Sequence, residues 1–475
     1  MRICKIHIRG FQQFEDTILD FIHPETGEPL EKICFIGRNG TGKSTLLRLI
    51  RQFLSEPRNI SENGFVFIEM EISHERKHIL RSQNGIILYN YAFEKETELR
   101  DVLHAANPRV DHQEVILKMD SLLVRTETAR LWNGGVNLDS QDSQYWDAFK
   151  LKNDSSDLLI YSPTEVASGF LGMHQASQAS IDINDVPSTS LSEALQFFTN
   201  FPSFHEISDK QIKDFWRILI YLIKKRENER ENFENKPENL NKTKKQLIEE
   251  FEKENPKIEE KLAELWNKIL DKAGLEVDLE NLKKPLQLND NLQAYIRLKS
   301  TKQRINYNQL STGIRNFIFR IGHIYSLYFN REIKRGFLLV DEPENSLFPD
   351  FLFDLMELYQ EIVIDKNGEN NTQFFVATHS PIVAAQFEPY ERIILEWNDN
   401  GHVTAHKGHA PVGDDPNDVL EQDFGLENLM GKEGQKMWNH YLELRKKLRH
   451  TENKQEKERL MTKIAKIGNQ YNFEH

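Results

Sequence analysis

The nine residues "GRNGTGKST", Gly37 to Thr45, follow the apolar run "ICFI" and precede "LLRLI". Gly37, Gly42, Lys43 and Ser44 fit the spacing G-x-x-x-x-G-K-S/T between a strand-like and a helix-like segment. In that setting backbone N–H groups at a helix start converge on a phosphate, the lysine reaches the terminal phosphates and the following hydroxyl ligates magnesium. Asn39, Gly40 and Thr45 complete the candidate cradle. A glycine-rich turn without a ligand reads the same locally, so the other parts of a nucleotide site have to be sought along the chain.

They stand in order after residue 300. "NQLSTGIRNFIFRIGHIYSL" opens a helix with Ser311, Thr312 and Gly313, where free N–H groups and the helix dipole favour an anion. "GFLLVDEPENSLFP" runs four apolar residues, Phe337 to Val340, into Asp341 and Glu342. A buried strand that delivers an acid at its C-terminal end suits a magnesium ligand, and the next carboxylate suits a base for an attacking water. Asp341 is therefore the candidate metal ligand beside Ser44, and Glu342 the candidate base. A metal cluster of Asp341, Glu342 and Glu344 is the rival reading. "FFVATHSPIVAAQ" places His379 at a strand end, within reach of a γ-phosphate, with Pro381 starting the next helix.

The bulk of the sequence limits what such a site could serve. The chain has 475 residues, 39% of them hydrophobic and 10% aromatic, enough for two or three lobes with a substantial core. Its formal net charge of -13 argues against a surface made to coat DNA, because nonspecific binding rests on lysine and arginine displacing counterions. Two cysteines, Cys4 and Cys34, rule out a disulfide framework or a four-cysteine zinc site. No window approaches the ~20 apolar residues of a membrane span, and the N-terminus reads as a strand, so a cytoplasmic location without membrane contact is expected.

Composition divides the chain. "RICKIHIRG", "KICFIG", "GFVFIEMEIS", "HILRSQ" and "GIILYNYAF" read as strands by alternation, giving a sheet-rich lobe over 1–195 that holds the phosphate loop. Helical patterns over 196–290 read as an inserted arm, with one helix from Asp209 to about Arg230 and another interrupted at Pro256. Over 291–412, "AYIRLKS", "RINYNQL", "GFLLVDE", "TQFFVAT" and "ERIILEW" suggest a second lobe built on a parallel sheet. The tail, 413–475, is helical, with Asp415 as N-cap before Pro416 and an apolar stripe of Met437, Tyr441, Leu444 and Leu448 that must pack on something. His402, His406 and His409 read as side chains of an exposed strand rather than metal ligands.

The joint order of phosphate loop, "LSTG", apolar strand with Asp-Glu, and strand with histidine resembles the ABC class of P-loop ATPases over residues 1 to about 400, the arm excepted. The resemblance implies an α/β, two-lobed ABC-type fold with ATP and Mg2+ as cofactors. It also implies a homo-oligomer in which Ser311 and Gly313 of one protomer complete the site whose Lys43 belongs to another. "DEPENSLFP" and "ATHSP" are similar to the stand-alone bacterial RecF-like and OLD-family ATPases. The arm and "GDDPNDVLEQDFGL" are most similar to the PtuA family of the Septu anti-phage systems, with the AriA family of PARIS next. That likeness implies a regulatory ATPase with a partner nuclease of HNH type, any DNA contact being made through the complex. A RecF- or SMC-like ATPase acting directly on DNA is the alternative. The glutamine that joins the lobes in this class has no clear counterpart: Gln83 follows the wrong kind of strand, and "LLIYSPTE" offers Thr164 and Glu165 instead.

Overall fold

The computed structural model describes residues 1–55, 65–82, 86–88, 129–131, 151, 156–164, 203–207, 226–277 and 296–473, less 227–228, 256, 306–308, 330, 412–415, 427–429 and 472. Most of the arm helix expected over 209–230 lies outside these residues, as do Gln83, Glu165, Pro256 and Asp415.

The described part is a mixed α/β fold. Its strands are β1 (Arg2–Phe11), β2 (Phe14–Asp20), β3 (Lys32–Gly37), β4 (Phe65–Ile72), β5 (Glu75–Ser82), β6 (Ile86–Leu88), β7 (Ala129–Leu131) and β8 (Asp157–Ser162). They continue with β9 (Phe204–Glu206), β10 (Leu275–Val277), β11 (Ile296–Leu298), β12 (Arg304–Ile305), β13 (Arg335–Asp341), β14 (Thr372–Ala377), β15 (Arg392–Trp397) and β16 (Val403–Lys407). The principal helices are α1 (Lys43–Ser55), α2 (Lys244–Glu254), α3 (Ile258–Leu270), α4 (Thr312–Tyr328), α5 (Leu355–Ile362), α6 (Pro416–Gln422), α7 (Lys432–His450) and α8 (Lys454–Tyr471).

Seven strands form the central sheet in the order β16-β15-β3-β14-β13-β8-β9, parallel throughout except for the edge strand β16. Strands buried on both faces read as unbroken apolar runs, and here successive residues serve opposite cores. Phe337 and Leu339 of β13 pack toward α1 and β1, whereas Leu338 and Val340 pack toward α3, α4 and α5. The second layer is the antiparallel sheet β2-β1-β4-β5. Gln373, fully buried on β14, stitches the two sheets: its amide donates to the carbonyls of Ile3 and Leu30, both at 2.9 Å, and its oxygen accepts from the Ile3 N–H at 2.7 Å.

One pair of strands departs from the sequence reading. "AYIRLKS" and "RINYNQL" do not join the parallel sheet; they give β11 and β12, which pair antiparallel with β10 in a separate three-stranded sheet. Arg297 of β11 and Lys302 of the turn before β12 both pair with Glu276 of β10, and such charges need one wet face that an interior parallel strand lacks. The apolar stripe of α7 is covered by its own chain. Tyr441 and Leu444 are buried against α8, and Trp438 and Tyr441 meet Phe473 at 5.1 and 5.6 Å between ring centroids. The break expected near Pro256 falls between α2 and α3, and α3 is anchored to α4 by the Trp266 indole N–H donating to the Ile318 carbonyl at 3.0 Å.

Candidate functional site

The strand order sets β14 between β3 and β13, so the phosphate loop, the loop after Ala377 and the segment from Asp341 to Asn345 emerge along one edge of the sheet. Gly37 ends β3 and Lys43 begins α1. Gly42 sits at φ 96°, and an added Cβ would lie 2.1 Å from Gln13 Nε2 and 2.6 Å from Phe14 Cζ, so only glycine fits this turn. Arg38, Asn39 and Gly40 are exposed, while Ser44 and Thr45 are half-buried on the first turn of α1. Lys43 is 5% exposed, and its ammonium donates to the carbonyls of Gly37 at 2.8 Å and Arg38 at 3.3 Å. Burial pushes this ammonium down to about 8, against the opposing pull of Glu342, Asp341 and Glu344. The buried ammonium thus gives up its proton more readily than an ordinary lysine, and an incoming polyanion would oppose that loss.

Asp341 ends β13 almost fully buried, and its Oδ1 has no hydrogen-bond partner. A buried carboxylate oxygen left in this state suits a hard cation, and Asp341 with the Ser44 hydroxyl offers the oxygen donors that magnesium prefers. Glu342 takes a left-handed backbone conformation, φ 45°, uncommon for a non-glycine residue. Three contacts hold it: its N–H donates to the Ala377 carbonyl at 2.8 Å, its carbonyl accepts from Arg320 at 3.2 Å, and His379 Nε2 stands 3.6 Å from its Oε1. Burial raises the Glu342 carboxyl above the usual range, and the charges of Asp341 and Glu344 add to this. Burial and the Lys43 charge lower His379, so at neutral pH the imidazole beside Glu342 is uncharged. A carboxylate raised toward neutrality is better matched to accepting a proton from water than an ordinary one.

The rival three-carboxylate metal cluster is not formed; among the described residues no group of three or more His, Cys, Asp or Glu is placed to hold a metal. Glu344 acts within the protein instead. Its Oε1 accepts from the Thr378 hydroxyl at 2.7 Å and from the His379 N–H at 2.8 Å, which fixes the loop that carries the imidazole. Arg320 has no signal in the sequence, and Glu344 stands there only as a member of that rival cluster. Arg320, 5% exposed on α4, also donates to the Pro163 carbonyl at 2.9 Å, so one guanidinium ties "SPT" after β8 to the Glu342 backbone. Asn345 adds a second tie, to the Thr164 carbonyl at 3.4 Å. Neither spacing nor residue type announced these bonds. His402 and His406 pair with Glu15 and Glu396.

Ser311 caps α4, its hydroxyl accepting from the Ile314 N–H at 3.3 Å, and Ser311 and Thr312 are exposed. Gly313 is buried against the loop after Glu342: an added Cβ would lie 1.8 Å from the Ser346 carbonyl oxygen. Backbone cannot yield as a side-chain tip can, so Gly313→Ala is expected to destabilise the protein by about 1–3 kcal/mol. Denaturant unfolding measures this, and an unchanged midpoint would show that the two segments are free to part.

In overall architecture the chain is similar to the SMC head domain of Thermotoga maritima, at 14% identity and a TM-score of 0.38, over 86% of this chain and 100% of that one. It is similar to the same extent, 14% identity and a TM-score of 0.39 over 86% and 98%, to an SMC head bound to the C-terminal winged-helix domain of ScpA. Comparison with curated proteins gives no match. No helix among the described residues is long and apolar enough to cross a membrane. Residues 1–384 match the family model described as the AAA ATPase domain, a span that takes in the loop at Lys43, the α4 start, Asp341, Glu342 and His379; the chain belongs to that family and is a P-loop ATPase.

Proposed function

We propose that this ATPase is an ABC-class regulatory subunit that works as a homo-oligomer with shared ATP sites and governs a partner nuclease, of HNH type, in bacterial anti-phage defence. Lys43 and the N–H groups from Asn39 to Thr45 grip the ATP phosphates, and Ser44 and Asp341 hold magnesium, which supplies charge neutralisation on the phosphates. Glu342 takes the proton of the attacking water, and His379 donates a hydrogen bond toward the γ-phosphate. The observation that carries shared sites is the division at the start of α4. Ser311 and Thr312 stand exposed with helix N–H groups behind them, whereas Gly313 is locked on Ser346 and so on the loop bearing Glu342. A second protomer's γ-phosphate contacting Ser311 would therefore press on the segment that positions the base.

The tail is a candidate contact surface for the partner. Since α7 and α8 cover each other's apolar faces, partner contacts fall to their charged outer faces or to the arm. The decisive experiment mixes two inactive variants. Lys43→Ala and Ser311→Arg chains, each without hydrolysis alone, are expected to recover up to about a quarter of wild-type activity when combined, because one class of composite site is then intact. Mixed assemblies that form without recovering activity would exclude shared sites. Co-purification with the product of the adjacent reading frame tests the effector, and DNA-stimulated hydrolysis by the chain alone would favour the direct DNA-acting alternative.

A further inference from the structure

Beside the phosphate loop, on the side away from Asp341, the central sheet leaves a cleft of about 230 Å³. Gly37, Arg38 and Thr41 of the loop form one wall; Trp397 at the end of β15, Phe424 and Gly425 form the other. Pockets for whole drug-sized ligands span roughly 300–1,000 Å³, so this one has room for a single ring system of a larger molecule. Its outer wall is rigid. Arg392 and Asp423, both with fully buried side chains, pair at 2.8 Å, and Asp423 also accepts from the His409 N–H at 2.7 Å, which ties Asp423 and His409 to the sheet.

Trp397 is the large aromatic side chain of the cleft, and at 47% exposed it leaves part of its surface open to a ligand. Its Cζ2 stands 4.0 Å from where a Cβ on Gly40 would be, so the ring edge stands beside the phosphate loop. Gln13 approaches the same loop from the β1–β2 turn, its amide 3.5 Å from the Gly40 carbonyl, and Val403 of β16 donates to the Gln13 carbonyl at 2.9 Å. A planar aromatic face, a flexible cation on Arg38 and a rigid floor are thus gathered next to the residues that hold phosphate. A nucleotide gripped by this loop needs only to turn its nucleoside end onto the ring.

We infer that Trp397 is a stacking platform for the nucleobase of the bound nucleotide, with the cleft beside Arg38 and Phe424 receiving the purine ring. Stacking on an aromatic side chain tolerates any base, since every base has a π-face, so the platform supplies affinity for nucleoside triphosphates more than choice among purines. The inference rests on Lys43 and its loop holding the phosphates.

Binding of ATP and of inorganic tripolyphosphate to the full chain, by calorimetry, separates the two. Trp397→Ala is expected to weaken ATP roughly tenfold and to leave tripolyphosphate unchanged, while Trp397→Phe keeps most of the ATP affinity. ATP affinity unchanged in Trp397→Ala would overturn the stacking role. Equal losses for both ligands would overturn it too, showing that the indole merely props the loop. A wild-type chain that binds neither ligand would overturn the phosphate-loop reading and this inference together, an outcome distinct from the other two.

Discussion

Glu342→Gln lowers ATP hydrolysis by about 10²–10⁴-fold while ATP binding stays within a few-fold of wild type, the range a general base contributes. Glutamine keeps the shape of the side chain, so the contacts that hold this segment survive: the Glu342 N–H to Ala377, the Arg320 guanidinium to the Glu342 carbonyl, and the left-handed turn between them. Only the proton acceptor is lost. Because burial and the neighbouring carboxylates raise the Glu342 carboxyl, wild-type hydrolysis is expected to fall on the acid side at a pH above the ordinary glutamate range. The sign follows from the role: protonation removes the base, so activity is present above the raised value and lost as pH falls through it. Single-turnover rates across pH check both statements, and a Glu342→Gln protein that hydrolyses ATP at wild-type rate would remove Glu342 from the reaction.

Lys43→Ala weakens ATP binding by about 100-fold, the scale of one buried, charge-assisted contact to phosphate. The native ammonium already has the Gly37 and Arg38 carbonyls as acceptors, which set its position before any ligand arrives. Its depressed value of about 8 adds a pH signature in the free protein. As pH rises through that value the lysine loses its charge, so ATP affinity is expected to fall between pH 7 and 9, and the bound polyanion pulls the proton back on. The same depression means that burying the charged lysine opposes folding below about 8, and that this opposition fades as pH rises toward the usual lysine range. Titration of ATP affinity against pH in wild type and in Lys43→Arg measures the effect; arginine, which keeps its charge throughout, should flatten the curve.

Much of the candidate site was legible because its signals are local. Gly42 follows from a turn with no room for a side chain, Ser311 from a helix start, and Asp341 from an apolar strand that must end where water or an ion can reach a carboxylate. The strand β2 is not legible in "FEDTILD", which carries three acids and alternates poorly: Thr17 and Leu19 are buried on one face and Phe14 on the other. The strand β8 was seen only as an apolar stretch before Pro163, although it pairs directly with β13 and so brings Thr164 to the loop after Glu342.

Residue order alone therefore carries the chemistry along the chain: a phosphate loop between strand and helix, an acid pair after a doubly buried strand, and a helix start with exposed hydroxyls. Each depends on neighbours a few residues apart, where backbone geometry and periodicity leave a trace in residue type. How those pieces bear on one another follows from the folded chain. Arg320 reaches Glu342 and Pro163 across 22 and 157 residues, Glu344 holds the His379 loop from 34 and 35 residues away, and Trp397 meets Gly40 from the far edge of β3. These are single polar or ring contacts between distant segments. They carry no period and no motif, and they exist only because a parallel sheet sets the C-terminal ends of its strands side by side.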